Sequence, residues 1–131
     1  MEKSNFSECS ECFCLAARRR AREITRFYDR RLKEHGLRST QFSVLAMLAM
    51  NDSMPLVKLA DALGLERTTL TRSLVLLEKR GWIRSEASAD ARMRPLRLTK
   101  SGRQKVERAF QGWKAAQREA KKRFGSDFPQ Y

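Results

Sequence analysis

The side chains best suited to specific recognition lie in a short cationic segment, residues 67–72. Leu70, Leu74 and Leu77 recur at helical spacing, so they can face a core while the residues between them face solvent. Arginine can donate two hydrogen bonds to a guanine edge, and a threonine methyl group can contact thymine. The candidates for such contacts are Arg67, Thr68, Thr69, Thr71 and Arg72. The alternative is an amphipathic helix whose polar face is only solvated.

A second cationic segment, ASADARMR at residues 87–94, lies between two stretches that alternate apolar and polar residues. This period of two predicts a pair of strands, WIRSE and PLRLT, joined by a hairpin tip. An arginine on such a tip can enter a DNA minor groove, and we expect Arg92 in this role first and Arg94 second. Asp90 is placed to hold the Arg92 guanidinium through a bidentate pair. The alternative is a solvated turn whose arginines contact nothing.

The three cysteines of the chain, Cys9, Cys12 and Cys14, lie close together near the N-terminus. Thiols at the start of a helix with arginines nearby favour the thiolate form, which makes them sensitive to oxidants. Three thiols are one ligand short of a tetrahedral zinc site, and the only histidine, His35, lies about five helical turns further on. We therefore expect no zinc site closed within one chain. Inert thiols, a redox switch and a covalent or metal ligand site remain as interpretations.

The cationic helical segment needs a second helix to support it. Leu56, Leu59, Ala60 and Leu63 form the apolar stripe of a short helix, and Gly64 is the residue type that ends a helix in a left-handed conformation. Two helices joined by so short a turn cross steeply, which leaves the second one protruding enough to enter a major groove. Together with the strand pair, this pattern predicts a winged helix-turn-helix.

Two long amphipathic helices are predicted on either side of this lobe, at about residues 12–35 and 100–124. Their apolar stripes consist of Phe13, Ala17, Ile24, Phe27, Tyr28 and Leu32 in the first helix and Val106, Phe110, Trp113, Ala120 and Phe124 in the second. Apolar stripes this long on a small domain must be buried against another surface. The simplest such surface is a second copy of the chain, so we expect a two-fold homodimer.

Local signals predict where the remaining helices begin. A helix at about residues 39–50 has Ser39 or Thr40 available as its cap, and the last helix has Thr99. Gly112 weakens the middle of that last helix and is expected to mark a bend.

The composition limits the classes of partner and activity. The chain has 131 residues, and its 28 Lys and Arg against 15 Asp and Glu give a formal net charge of +13. This length suits one domain, and the charge implies a polyanionic partner, with nucleic acid as the default. No stretch approaches the roughly 20 apolar residues of a spanning helix, so we expect no membrane association and a cytoplasmic location. A single histidine, scattered carboxylates and the lack of a glycine-rich phosphate loop argue against an enzyme, and no cofactor is predicted.

A family resemblance is carried by LADALGLERTTLTRSLVLLEKRGWI, followed by Asp90-x-Arg92 and by L-x-LT-x-x-G ending at Gly102. This pattern resembles the MarR (multiple-antibiotic-resistance regulator) family of bacterial transcription factors, and the similarity covers about residues 12–120. It implies a single domain, residues 1–131, that is mainly α with a small β-hairpin wing. In this α+β fold, a winged helix-turn-helix lobe at 39–99 is flanked by N- and C-terminal dimerisation helices.

The resemblance also implies a function. Members of the family bind a pseudo-palindromic operator as homodimers and usually release it on a chemical signal. The signal is commonly a small aromatic or anionic ligand, and some members sense hydroperoxides through a cysteine near the N-terminus of the first helix. Arg26, Tyr28 and Arg30 are candidates for facing such a ligand, although a solvated helix face explains them nearly as well. Glu66 departs from the family pattern, because Ser, Asp or Asn often caps the recognition helix there.

We therefore predict a dimeric, sequence-specific regulator of transcription that binds double-stranded DNA, most simply as a repressor. The alternative is a basic architectural or RNA-associated module that uses the same fold without sequence choice.

Overall fold

The computed structural model describes residues 3–128 of the chain. The helices of this range are α1 Phe13–Leu32, α2 Ser39–Ala49, α3 Leu56–Leu63, α4 Arg67–Lys79 and α5 Lys100–Phe124. The strands are β1 Met54–Pro55, β2 Ile83–Ser85 and β3 Pro95–Leu98, and short 3-10 helices lie at Lys3–Glu11, Lys33–His35, Ala91–Met93 and Gly125–Asp127. The predicted mainly α fold with a small β wing is confirmed. Across residues 3–128, no helix combines the length and the apolar character needed to cross a bilayer.

A leucine-rich core holds together residues 39–99, which we call the winged lobe. Its most deeply buried side chains include Leu45, Leu48, Leu59, Leu70, Leu74, Leu77, Ile83 and Leu96. The leucines of α3 and α4 that recur at helical spacing lie in this core, so the two helices pack through the faces that the sequence predicts.

The sheet of the winged lobe has three strands in the order β1-β3-β2, all antiparallel. Ile83 lies opposite Leu98 and Met54 lies opposite Leu96, so β3 is the central strand. The sequence predicts only the β2–β3 pair. The expectation of two strands was incomplete because a strand of two residues is too short to show a period of two.

The helices α1 and α5, which we call the helix pair, run antiparallel and share a second, smaller core. Phe27, Ala116, Ala120 and Phe124 are buried there, and the rings of Phe27 and Phe124 meet edge to face with centroids 5.6 Å apart. The predicted stripes were only partly right, since Phe13, Ala17 and Phe110 are exposed whereas Ala109 and Ala116 are buried. Small residues lie at the contact because they let two helices approach closely.

One of the predicted helix caps is wrong and another is confirmed. The residue preceding α2 is Arg38, and neither Ser39 nor Thr40 caps it. Instead, the Ser39 backbone N–H donates to Asp29 Oδ1 of α1 at 2.7 Å, so a side chain from another helix satisfies the start of α2. At α5, Thr99 Oγ1 accepts a hydrogen bond from the Gly102 backbone N–H at 3.0 Å and caps the helix as predicted.

Two glycines of α5 allow close approaches to other elements. A Cβ at Gly102 would lie 2.0 Å from the Trp82 carbonyl oxygen, where α5 starts against the winged lobe. A Cβ at Gly112 would lie 2.8 Å from His35 Nε2, so this glycine makes room for the histidine ring.

Candidate nucleic-acid interface

Helix α4 presents a polar, cationic face to solvent. Leu70, Leu74 and Leu77 are buried on its inner side. The exposed residues of its first two turns are Arg67, Thr68, Thr69, Thr71 and Arg72. All five predicted residues of this helix are therefore exposed to solvent, at the end of the helix that begins after a tight turn.

The turn before α4 fixes the angle at which this face is presented. Gly64 has a φ of 64° and donates its backbone N–H to Asp61, while the Leu65 N–H donates to the Ala60 carbonyl at 2.9 Å. These bonds satisfy the last carbonyls of α3 and reverse the chain. Glu66, which precedes α4, makes no side-chain capping hydrogen bond. This agrees with the weak capping expected of glutamate at this position.

The tip of the wing contains a preorganised ion pair between Asp90 and Arg92. Asp90 Oδ1 accepts hydrogen bonds from the Arg92 backbone N–H at 3.0 Å and from Nε at 3.1 Å, and Oδ2 accepts from Nη2 at 3.0 Å. These hydrogen bonds lower the pKa of Asp90, and a smaller contribution comes from the charge of Arg67. The guanidinium of Arg92 thus has the support that the sequence predicts, while the side chain stays exposed.

Arg94 has a different environment from Arg92. It is half-buried, and its carbonyl oxygen accepts a hydrogen bond from the Leu56 backbone N–H at 3.2 Å. Its Nε is buried and has no hydrogen-bond partner among residues 3–128. Arg94 therefore lies at the base of the wing beside α3, and Arg92 is the arginine nearer to the tip.

The wing also exposes Arg84. Arg84 is exposed on β2 and lies opposite Arg97 of β3, which forms an ion pair with Glu86 at 3.3 Å. Sequence reasoning missed this residue, although the alternation of WIRSE turns Arg84 away from the buried Ile83 and was a usable signal.

The three cysteines lie on a separate part of the chain. Cys9 belongs to the first 3-10 helix, Cys12 precedes α1 and Cys14 lies in its first turn, and all three are exposed and unpaired. Cys14 Sγ accepts a hydrogen bond from Arg18 Nη2 at 3.5 Å. Within the described part of the chain, no three metal-ligating side chains come together.

The residues considered for an effector are divided between two surfaces. Tyr28 faces α5, where its hydroxyl donates to Gln117 Oε1, and burial raises its pKa. Arg26 and Arg30 point the other way and line an open groove on α1. The structure therefore does not bring these three residues into one cleft.

Comparisons with known proteins give a consistent result. The family model described as "MarR family" matches residues 37–93, which include α2, the helix-turn-helix of α3 and α4, and β2 of the wing. A structure of the transcriptional regulator MosR of M. tuberculosis in complex with DNA is 40% identical. It covers 84% of this chain and 80% of MosR, with a TM-score of 0.74.

Two further relatives differ in coverage. The reduced form of AbfR of Staphylococcus epidermidis, bound to DNA, is 29% identical with a TM-score of 0.69, and the match covers 87% of this chain and 83% of AbfR. The transcriptional repressor MprA of Escherichia coli is 42% identical over 77 residues, which are 56% of this chain and 44% of MprA. The chain thus spans less than half the length of this curated relative.

Proposed function

This chain belongs to the MarR family of transcriptional regulators, and from that premise we propose that it is a homodimeric, sequence-specific DNA-binding repressor. In this proposal α4 enters the major groove of each half-site. Its Arg67, Thr68, Thr69, Thr71 and Arg72 contact base edges and phosphates, while Arg92, with Arg94 behind it, reaches the minor groove.

One observation carries the proposal, the pairing of an exposed arginine and threonine face on α4 with a wing arginine that Asp90 holds in place. The charge of Arg67 contributes to the lowered pKa of Asp90, so the first residue of α4 is near enough to the wing tip for their charges to interact. A guanidinium held in position loses less entropy on binding than a free one. The relatives solved with DNA, MosR and AbfR, support nucleic acid as the ligand.

The homodimer rests on apolar side chains that the single chain leaves uncovered. Phe13 of α1 is 92% exposed and Phe110 of α5 is 44% exposed. A second copy packed against the helix pair would cover such residues and set the two α4 helices about 34–36 Å apart, the spacing of successive major grooves.

A footprinting and competition experiment tests the specific-binding proposal. The full chain is incubated with the promoter DNA around its own coding sequence, at physiological salt, and the protected site is then competed with random duplex. We expect a preference for the site of about a thousandfold or more. Equal competition by random duplex, or a monomer in solution, would favour the architectural module instead.

Matched variants separate base recognition from general charge. Arg67→Gln/Arg72→Gln removes two charges from α4 and is expected to abolish most of the preference for the operator. Arg108→Gln/Arg118→Gln removes two charges from exposed positions of α5 and should retain it. If both variants lose the preference equally, α4 is not the recognition helix.

We further propose that a chemical signal releases the operator, and that the exposed cysteines make an oxidant the first signal to test. A thiol that reacts with a hydroperoxide is oxidised to a sulfenic acid while the hydroperoxide is reduced to an alcohol, and a second thiol can then condense with it to a disulfide and water. The hydrogen bond from Arg18 to Cys14 Sγ supports this reactivity. A small aromatic or anionic effector is the other signal that the family membership suggests.

Peroxide treatment of two proteins tests the oxidant. The operator affinity of the chain with its three cysteines should fall after treatment with cumene hydroperoxide, whereas the Cys9→Ser/Cys12→Ser/Cys14→Ser variant should keep its affinity after the same treatment. Unchanged affinity in both proteins would rule out the redox proposal and leave the DNA-binding proposal intact.

A further inference from the structure

Most of the positive charge of this chain lies outside the winged lobe. The helices α1 and α5 together carry 16 Lys and Arg against four Asp and Glu, whereas residues 39–99 carry nine against six. DNA binding by α4 and the wing therefore does not explain the larger excess of positive charge on α1 and α5.

Part of this excess lines one open groove, which we call the arginine groove. Its volume is about 410 Å³, and its lining residues are Arg19, Arg22, Glu23, Arg26, Arg30 and Arg123. The arginines of α1 follow one another at intervals of three or four residues, which places their side chains on one side of the helix. Arg123 comes from the last turn of α5, so the second helix of the pair contributes one side chain to the groove.

The single acid in the groove is already neutralised. Glu23 pairs with Arg20 at 3.1 Å and with Arg123 at 3.7 Å. The guanidinium of Arg123 also lies over the Phe27 and Phe124 rings, with centroid distances of 5.8 and 5.2 Å, which hold it at the edge of the groove. By contrast, Arg22, Arg26 and Arg30 have no ion-pair partner within residues 3–128. Like charges this close repel one another, and a bound anion would relieve that repulsion.

We propose that the arginine groove binds the phosphate chain of a small polyphosphate, a ligand separate from operator DNA. Guanidinium groups donate paired hydrogen bonds to phosphate oxygens, and a row of them matches a linear chain of phosphates better than a single carboxylate. The volume is in the range of sites for small ligands, and among the described residues no aromatic side chain lines the groove. Recognition therefore rests on the phosphates, which an inorganic polyphosphate or a nucleoside triphosphate can supply.

We expect the proposed homodimer to leave this groove open, because of the charges that line it. A two-fold interface through the groove would need acidic side chains from the second copy. Three of the four acids of the helix pair already have partners, because Glu23 and Glu119 pair with arginines and Asp29 accepts from the Ser39 N–H. Burying Arg22, Arg26 and Arg30 at an interface without acidic partners would cost more free energy than the contact would contribute.

Calorimetric titration of the full chain with sodium tripolyphosphate at low salt tests the proposal. Arg22→Gln/Arg26→Gln should weaken binding roughly tenfold, whereas Arg108→Gln/Arg118→Gln, with the same loss of charge, should weaken it less than about twofold. Arg22→Lys/Arg26→Lys keeps the charge but removes the forked donors, and an intermediate affinity is expected. The α4 variant Arg67→Gln/Arg72→Gln should bind tripolyphosphate as the unchanged chain does, so this proposal and the DNA-binding proposal can fail separately.

A second titration, with ATP, distinguishes the two phosphate sources. Equal affinities for ATP and tripolyphosphate indicate that only the phosphate chain is bound, and a tighter, groove-dependent affinity for ATP adds a contact to the nucleoside. Both results support the site.

The proposal is overturned if the original protein does not bind tripolyphosphate, or if the two Gln variants of the helix pair bind tripolyphosphate equally weakly. It is also overturned if Arg22→Gln/Arg26→Gln loses affinity for operator DNA relative to its matched variant, because the groove is then a DNA surface.

Discussion

The winged lobe and the helix pair differ in how their arginines are held. In the lobe, Arg92 is fixed by hydrogen bonds to Asp90 and Arg97 pairs with Glu86, so few charges have defined positions on a rigid leucine core. On the helix pair, the arginines of the groove follow one another along a helix face and most have no acidic partner within the described range.

This difference separates two contributions to binding a polyanion. Base-edge contacts depend on where a donor lies, to within a fraction of an ångström, whereas a long-range field depends mainly on the amount of charge. We therefore expect the lobe to set the sequence preference. The helix pair should raise the rate at which DNA is attracted and supply a separate anion site.

The largest expected effect lies at the joint between the two regions. In Gly102→Ala, the new Cβ would lie 2.0 Å from the Trp82 carbonyl oxygen, so α5 must shift away from the lobe. Overpacking of this kind destabilises a protein by about 3 kcal/mol, whereas the higher helix propensity of alanine stabilises it by about 1 kcal/mol. The free energy of unfolding measured in urea should therefore fall by about 2 kcal/mol.

Gly125→Ala is the matched control for that joint. No atom of residues 3–128, apart from those of its chain neighbours, lies within 4 Å of the added Cβ there, and the backbone is helical with a φ of −61°. Its unfolding midpoint should change little. Equal midpoints for the two variants would mean that the close approach of α5 to Trp82 does not couple the regions.

A single charge removed from each region gives the next effect. Arg92→Ala should weaken operator binding roughly tenfold or more and reduce the salt slope by about one, because a positioned groove contact is lost. Arg118→Ala removes the same charge from an exposed site of α5, and its affinity should fall less than about twofold. Fluorescence anisotropy at several salt concentrations measures both. Equal losses of operator affinity in the two variants would mean that Arg92 contributes only its charge and not its position on the wing.

The sequence predicts the winged lobe better than the helix pair, for a physical reason. Leu70, Leu74 and Leu77 recur within one helix and bury a face whatever lies opposite, and Thr99 caps α5 through a bond three residues away. The Asp90–Arg92 contact is likewise local, because the two residues are two positions apart. Such short-range patterns are visible in a single sequence.

The errors concern contacts between distant segments. Asp29 satisfies the start of α2 from another helix, and Ala116 rather than Phe110 is buried where α5 approaches α1. The arginine groove needs Arg123 beside α1, a proximity of residues about a hundred positions apart that no spacing reveals. The exposure of the candidate DNA contacts agrees with the sequence pattern, while their contact with DNA stays a prediction.

A smaller effect tests the internal contact of the helix pair. Tyr28→Phe removes the hydrogen bond to Gln117 and should cost about 1 kcal/mol of unfolding free energy at pH 7. Burial raises the pKa of Tyr28 above its usual value near 10, so the folded state favours the neutral phenol. This contribution is complete below the unfolded pKa and is lost as the pH rises through the folded pKa. Urea unfolding of both proteins from pH 8 to 11 should therefore show their difference shrinking above about pH 10, and a constant difference would contradict it.

The smallest expected effect compares one ion pair from each region. Asp90→Asn leaves Arg92 charged but less firmly held, so operator affinity should fall roughly two- to threefold, less than in Arg92→Ala. Glu119→Gln breaks the pair with Arg31 on the helix pair and should leave operator affinity unchanged.

Hydrogen bonds from Arg92 lower the pKa of Asp90, so its carboxylate is ionised above its ordinary pKa and is neutralised only as the pH falls through the lowered value. The affinity ratio of the original protein to Asp90→Asn should consequently stay constant as the pH falls from 8 to about 4, where a carboxylate with the ordinary pKa would be about half neutralised. A ratio that declines between pH 5 and pH 4 would mean that Asp90 is not held as this structure has it, and that the wing arginine is no more fixed than those of α1.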